Sequence, residues 1–278
     1  MSQLLIFTDM DGTLLDHHTY SHQAADPLLA ELSRRSIPVI PCTSKTFAEL
    51  VELRSELQNR EPFIVENGAA VYIPTGYFSA QPKDTDCVAG YWRKAFVEPR
   101  QYWCSLLDDV GKQFSEYFDS YSELGVAGIA RLTGLSEAEA ERSAQRQFGE
   151  PVHWHGPPEV KADFVQALQA AGAQVLIGGR FIHISGAVDK GQALLWLSHC
   201  YQRHSHASVT TVGLGDSGND VAMLNVVDNP IIVRSPVHEP PAVTPAAVAN
   251  SLIITKATGP QGWVEGVTLV LSRQCGSV

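Results

Sequence analysis

The sequence predicts an α/β protein: a doubly wound parallel sheet with an inserted α+β domain. Three observations carry this reading. Short apolar runs alternate with segments of helical period from Leu4 to Ile73. Between residues 83 and 185 the periodicity weakens and polar stretches lengthen. After Gly186 the first pattern returns. The chain is therefore read as a core of residues 1–82 and 186–278 around an inserted module of residues 83–185. Strands alternating with helices over short connections indicate parallel strands covered on both faces.

The elements follow in order. Leu4 to Thr8 is an unbroken apolar run ending at acids, which suits a buried strand. Ser21 to Arg35 spaces Ala25, Leu28, Leu29 and Leu32 as a helix does. Ile37 to Cys42 is a second strand. Thr46 to Leu57 is helical, with Phe47, Leu50, Val51 and Leu57 on one side. Phe63 to Val65 reads as a third strand closed by Glu66-Asn67-Gly68, and Val71 to Ile73 as a fourth. In the inserted stretch, Ser136 and Glu139 form a capping box ahead of a helix. Pro158 to Ala171 is bracketed by Pro at its start and Gly172 beyond its end, as helices are. Gln174–Ile177 and Arg180–Ser185 read as a hairpin through Gly178-Gly179. Lys190 to Tyr201 is a helix and Val209 to Leu214 a buried strand. A helix starts at Asp220, a strand runs from Ile231 to Val233, and Val264 to Leu271 closes the chain as a helix.

The net charge of −10 argues against a nonspecific nucleic-acid or anionic-membrane binder. An anionic substrate then needs local cations or a metal. Five scattered cysteines, none at metal-ligand spacing, suit reduced thiols. No apolar run reaches the roughly 18 residues of a membrane span. A cytoplasmic protein is expected.

Four clusters carry chemistry. Asp9-Met10-Asp11-Gly12-Thr13 follows the first strand directly, where open parallel sheets gather ligands. Two carboxylates two residues apart can divide the work. Asp9 can attack phosphorus and share a hard cation, while Asp11 offers a carbonyl to the cation and a side chain for proton transfer. Gly213-Leu214-Gly215-Asp216-Ser217-Gly218-Asn219-Asp220 follows another apolar strand. Asp216 can be a second carboxylate on the metal, and Asp220 can serve as helix cap, as metal-water acceptor, or as both. In Thr43-Ser44-Lys45 a hydroxyl can donate to a phosphoryl oxygen and Lys45 can meet an anion; equally, Thr43 or Ser44 can cap the next helix with Lys45 in solvent. Lys190 opens a helix, where the dipole disfavours a cation, which suggests a phosphate or a nucleophile beside it; equally, it is a solvated lysine. Asp, Asp, Thr, Lys, Asp and Asp at strand ends and helix starts fit magnesium-assisted phosphoryl transfer.

These motifs resemble those of the haloacid dehalogenase-like phosphatases: Asp9-x-Asp11-Gly12-Thr13, Thr43, Lys190 and Gly215-Asp216-x-x-Asn219-Asp220. The late insertion resembles their type IIB cap on a Rossmannoid core. More narrowly, Cys42-Thr43-Ser44-Lys45-Thr46, Glu66-Asn67-Gly68-Ala69, Gly179-Arg180-Phe181-x-His183 and Gly259-Pro260-x-Gly262-Trp263 resemble the mannosyl-3-phosphoglycerate phosphatase family.

The resemblance implies a mechanism. Asp9 attacks the ester and forms an aspartyl-phosphate. Asp11 protonates the leaving alcohol and then activates a water. Mg²⁺ is held by Asp9, the Asp11 carbonyl and Asp216, with Asp220 and Asn219 behind. Thr43 and Lys190 hold phosphoryl oxygens. Ser44, Lys45, Asn67, Arg180 and Asn219 become candidates for contacts to a small phosphorylated sugar or sugar-glycerate. Arg180 suits a carboxylate because its planar fork binds two oxygens; equally, it is a surface arginine of the hairpin. His183 reads as a packed histidine rather than a catalyst. Glucosyl-3-phosphoglycerate or another sugar phosphate competes as substrate, and a phosphomutase or a non-catalytic sugar-phosphate binder competes as activity.

Overall fold

The computed structural model describes residues 2–177, 180–243 and 251–275. Along the chain, β1 (Gln3–Thr8), α1 (Asp26–Arg34), β2 (Val39–Pro41), α2 (Phe47–Glu56), β3 (Phe63–Val65), β4 (Ala70–Pro74), β5 (Asp86–Val88) and β6 (Tyr91–Ala95) come first. Next are α3 (Arg100–Val110), β7 (Phe118–Ser120), α4 (Tyr121–Thr133), α5 (Glu137–Ala144), β8 (Gly149–Trp154), α6 (Pro158–Ala170), β9 (Gln174–Ile177) and β10 (Ile182–Ser185). The chain closes with α7 (Lys190–Ser205), β11 (Val209–Gly215), α8 (Val221–Leu224), β12 (Asn229–Arg234), β13 (Ile253–Thr258) and α9 (Gly259–Cys275). They divide into two units: Met1–Thr43, Asn59–Lys94 and Asp189–Val278 form the first, Ser44–Gln58 and Ala95–Val188 the second.

The first unit is built on a parallel sheet ordered β13-β12-β11-β1-β2. β1 lies inside it between β11 and β2, and Leu5, Ile6 and Phe7 are fully buried. Its register sets Ile6 beside Val39 on one side and Val212 on the other. A strand flanked on both sides and covered on both faces must be apolar throughout, which is why these runs do not alternate. β1 and β11 are neighbours, so the residues just past their carboxyl ends emerge side by side. That edge is where a parallel sheet offers its ligand site.

The α/β fold and the parallel sheet read from the sequence are present. β3 departs from the expectation of a third parallel strand. Among the described residues its pairing with the main sheet is one isolated bridge, Cys42 to Ile64, parallel as expected but not extended into a ladder. Its ladder runs antiparallel to β4, with Phe63 opposite Tyr72, and this pair starts a second sheet ordered β3-β4-β6-β5. The Glu66–Gly68 turn is tight enough to reverse the chain, and an antiparallel partner needs no crossover helix.

The second unit has a four-stranded antiparallel sheet, β7-β8-β10-β9. On one face Ile182, Ile184 and Val152 pack with Trp103, Leu107, Phe164 and Leu168. A separate cluster joins Phe181 to Tyr121, Ile129 and Ala140. Capping boxes open α4 (Ser120 with Glu123) and α5 (Ser136 with Glu139). Residues 178–179 of the expected hairpin turn lie outside the described residues, but β9 and β10 do pair antiparallel. The units part at Lys94 and Val188 rather than at 82 and 185, because β5 and β6 extend the sheet begun by β3 and β4. Within the second unit α2 is tied to α5 by Thr46, whose hydroxyl donates to the Arg142 carbonyl at 2.9 Å. Among the described residues, no helix is long and apolar enough to cross a membrane.

Candidate active site

The site belongs to the first unit. Asp9 is the residue after β1, and its backbone N–H donates to the Leu214 carbonyl of β11 at 2.8 Å. The chain then turns sharply through Gly12, whose φ is +75°. A side chain there would be strained, and its Cβ would lie 2.8 Å from Asp216 Oδ2. Glycine thus admits the second aspartate beside the first turn. Thr13 Oγ1 donates to Asp216 Oδ1 at 3.3 Å.

Asp220 divides its two oxygens. Oδ2 accepts the backbone N–H groups of Asp216 and Ser217, each at 3.1 Å, and so closes the turn after β11. Oδ1 accepts from Lys190 Nζ at 2.7 Å. Of the two roles open to Asp220, helix cap and metal-water acceptor, the first is corrected: its side chain makes no cap bond to α8, because Oδ2 turns back to close the preceding turn, while Oδ1 sits in the carboxylate cluster.

Lys190 enters at the first position of α7. Asp189 caps that helix, accepting from the Gln192 N–H at 2.8 Å. The Lys190 side chain has no exposed surface, and Nζ also donates to Asp9 Oδ1 at 2.6 Å. Burial and the helix dipole both oppose a cation here. Asp220 and Asp9 outweigh that opposition and hold the ammonium above its usual range.

Asp9, Asp216 and Asp220 are all buried, and each offers an oxygen within 4.8 Å of the others. Burial lifts the Asp9 carboxyl well above its ordinary range; Lys190 pulls it down, while Asp220 and Asp11 push it up. Burial, with Asp220 behind it, raises Asp216 to about 6. One ammonium thus faces three buried carboxylates, and the surplus negative charge is what a cation would neutralise. The donor set is all oxygen, with no thiolate or imidazole among the three, which fits a hard divalent ion. Asp11 is half-buried nearby.

Thr43 is buried beyond β2. Its N–H donates to the Ile64 carbonyl at 3.1 Å, and its carbonyl accepts from Asn67 N at 2.9 Å. Glu66 and Asn67 adopt left-handed φ of 48° and 59°. Asn67 Oδ1 accepts from Asn219 Nδ2 at 3.0 Å, so these two candidates meet. Ser44, Lys45 and Arg180 belong to the second unit. There Arg146 donates to the Ser44 carbonyl at 3.3 Å. Neither Ser44 nor Thr43 caps α2; Thr46 does, in a capping box with Glu49. Arg180 is exposed and gives one guanidinium N–H to the Thr133 carbonyl at 2.8 Å. His183 is held down to about 4 by burial and by Arg146, the state of a packed neutral histidine.

The sequence model of the haloacid dehalogenase-like hydrolases matches residues 6–86. A curated relative from Methanococcoides burtonii, named glucosyl-3-phosphoglycerate/mannosyl-3-phosphoglycerate phosphatase, is 36% identical over 269 residues, covering 97% of each chain. A relative of the same name from Persephonella marina is 33% identical, covering 97% of this chain and 98% of that one. The chain belongs to the haloacid dehalogenase-like phosphatases. As a member it is a phosphoric monoester hydrolase, and the family read from its motifs is borne out. A solved haloalkanoate-superfamily phosphatase from Bacteroides thetaiotaomicron shares the fold, with a TM-score of 0.66 at 17% identity over 98% of this chain and 95% of that one.

One neighbour of the phosphatase site went unread in the sequence. His238 Nε2 lies 3.4 Å from Asp216 Oδ2. It sits in a loop with no motif around it, so nothing in the sequence singled it out.

Proposed function

We propose that the chain is a Mg²⁺-dependent phosphatase that hydrolyses a hexosyl-3-phosphoglycerate, first of all mannosyl-3-phosphoglycerate, to the hexosylglycerate and phosphate. The observation that carries the reading is Lys190, buried and bonded to both Asp9 and Asp220 amid excess carboxylate. The substrate class is supported by the names of the two relatives that match nearly the whole chain.

In this reading Asp9 is the nucleophile. A carboxylate oxygen attacks phosphorus, the bond to the ester oxygen breaks, and the alcohol leaves with a proton from Asp11. Asp11 then takes a proton from the water that attacks the aspartyl-phosphate, which returns Asp9 and releases phosphate. Lys190 fixes Asp9 Oδ1 and, with Thr43, meets the phosphoryl oxygens, so that less charge repulsion opposes the approach of two anions. Asp9, the Asp11 carbonyl and Asp216 would hold Mg²⁺, with Asp220 and Asn219 behind. When bound, it supplies neutralisation of phosphoryl charge in the transition state. Ser44, Lys45, Asn67, Arg180 and Asn219 serve the glycerate and sugar. The inserted module, residues 95–188, sets substrate preference.

The test is phosphate release over a panel of phosphorylated sugars and hexosyl-3-phosphoglycerates, with and without chelator. Release is expected to be fastest from the mannosyl ester and to stop in chelator. Equal or faster release from the glucosyl ester would reassign the sugar. An isomerised sugar phosphate without free phosphate would make the protein a mutase.

A further inference from the structure

Gly259-Pro260-x-Gly262-Trp263 has no part in the chemistry above, yet it reaches the nucleophile. It opens α9 directly behind β13. A Cβ on Gly262 would lie 2.3 Å from the Ala257 carbonyl oxygen, so only glycine lets the helix begin so close to the strand it has just left. Gly259, at a φ of +51°, starts the turn beside Leu15 and Asp16. This tight start carries Trp263 to β1.

Trp263 is the largest fully buried side chain among the described residues. Its Nε1 donates to Thr8 Oγ1 at 3.0 Å. Thr8 is also fully buried, and its hydroxyl donates to the Asp9 carbonyl oxygen at 2.7 Å. The direction of this chain is forced. An indole N–H can only donate, so the Thr8 hydroxyl must accept from it and spend its single proton on Asp9. The other backbone groups around Asp9 are tied to the sheet. Its N–H goes to Leu214, and the Thr8 carbonyl accepts from Cys42 N at 2.8 Å. The Asp9 carbonyl lies past the end of the strand, where the hydroxyl takes the place of a ladder partner.

We propose that Trp263 and Thr8 are positioning residues: Trp263 Nε1 orients the Thr8 hydroxyl, which fixes the peptide after Asp9 and so aims the Asp9 carboxylate. The inference rests on the reading of Asp9 as nucleophile. A nucleophile displaced by a fraction of an ångström loses rate without losing substrate affinity, and losses of about 10- to 100-fold are typical of such misplacement. The other large term at this site, the Lys190 bond, holds only one carboxylate oxygen. The backbone must be held separately.

The experiment uses the full-length enzyme with Mg²⁺ and ³²P-labelled p-nitrophenyl phosphate. Thr8→Val keeps the shape and removes the hydroxyl; Thr8→Ser keeps the hydroxyl; Trp263→Phe keeps a ring and removes the donor. Acid-quenched single turnovers read the rate of hydroxylamine-labile label on the protein. Thr8→Val and Trp263→Phe should each slow labelling and kcat by about 10- to 100-fold, with KM within about threefold. Thr8→Ser should stay within about threefold of wild type. The double variant should be no slower than Thr8→Val alone, because both act through one chain of bonds. Near-UV circular dichroism reports whether each variant keeps its packing. If Trp263→Phe fails to fold, the Thr8 pair alone decides. Wild-type labelling with Thr8→Val as fast as wild type, or Thr8→Ser as slow as Thr8→Val, overturns the positioning role. No label on wild type at all, or undiminished label on Asp9→Asn, overturns the nucleophile reading instead.

Discussion

Replacing Lys190 by methionine should destabilise the first unit strongly, and divalent cation should return part of the loss. The side chain has no exposed surface and makes two short bonds, 2.6 Å to Asp9 and 2.7 Å to Asp220. Methionine fills similar volume and brings no charge. Three buried carboxylates then face one another without a counterion. Breaking a buried pair by removing one partner costs about 3–5 kcal/mol, because the remaining charge stays buried. At about 2–4 °C per kcal/mol, the melting temperature should fall by roughly 6–20 °C. The assay is thermal unfolding followed by circular dichroism at pH 7, in chelator and in Mg²⁺. Mg²⁺ binds only the folded site, so its stabilisation follows mass action, and it should raise the melting temperature more in Lys190→Met than in wild type. A variant that melts within about 2 °C of wild type in chelator would show that the ion pairs carry little net stability and would refute the charge argument.

Three further outcomes are expected. Asp9→Asn should fold and keep below about 1% of wild-type turnover, since an amide neither attacks phosphorus nor carries the charge; phosphate release from the preferred ester checks this. The second concerns pH. Asp216 is raised to about 6 from 3.8, chiefly by burial, so the folded state binds its proton more tightly than the unfolded state. Metal-free protein should therefore gain stability through Asp216 as pH falls from 7 toward 4, by about 2 kcal/mol, and Asp216→Asn should remove that share, leaving the gain that buried Asp9 adds in the same direction, and melt higher at pH 7, as scanning calorimetry would show. The third is Arg180→Ala, which should raise KM for a glycerate-bearing ester about tenfold or more and leave p-nitrophenyl phosphate nearly unchanged; equal effects on both would confine Arg180 to holding the Thr133 carbonyl.

Much of this was legible because buried parallel strands advertise themselves. Leu4–Phe7 and Val212–Leu214 are apolar without alternation, and the acids that follow each strand fall where the sheet ends. The turn chemistry was legible as well, since Ser136 and Glu139 can only form their box at a helix start. Elsewhere the signals were ambiguous. Three apolar residues, Phe63–Val65, satisfy a parallel strand and an antiparallel hairpin equally, and the reversal through Glu66–Gly68 decided for the hairpin. Thr46 and Glu49 carried a capping signal of their own, but the neighbouring Thr43 and Ser44 offered competing hydroxyls. β13 escaped notice: Ile253 and Thr255 are buried while Ile254 and Lys256 are exposed, and so short an alternation at a sheet edge hardly rises above loop composition. His238 reaches Asp216 through chain reversal alone, which no local pattern encodes.

The two adjacent left-handed residues at the end of β3 have a consequence for engineering. Non-glycine side chains in that conformation cost the fold on the order of 1–3 kcal/mol each. Asn67 bears it more easily than Glu66, because a short amide can bond locally. A search for thermostable variants would therefore be drawn to glycine at this corner. Asn67→Gly would relax the backbone, yet it would delete the oxygen that holds Asn219. A library scored on melting temperature alone would drift toward stable proteins that have lost the Asn67–Asn219 bond.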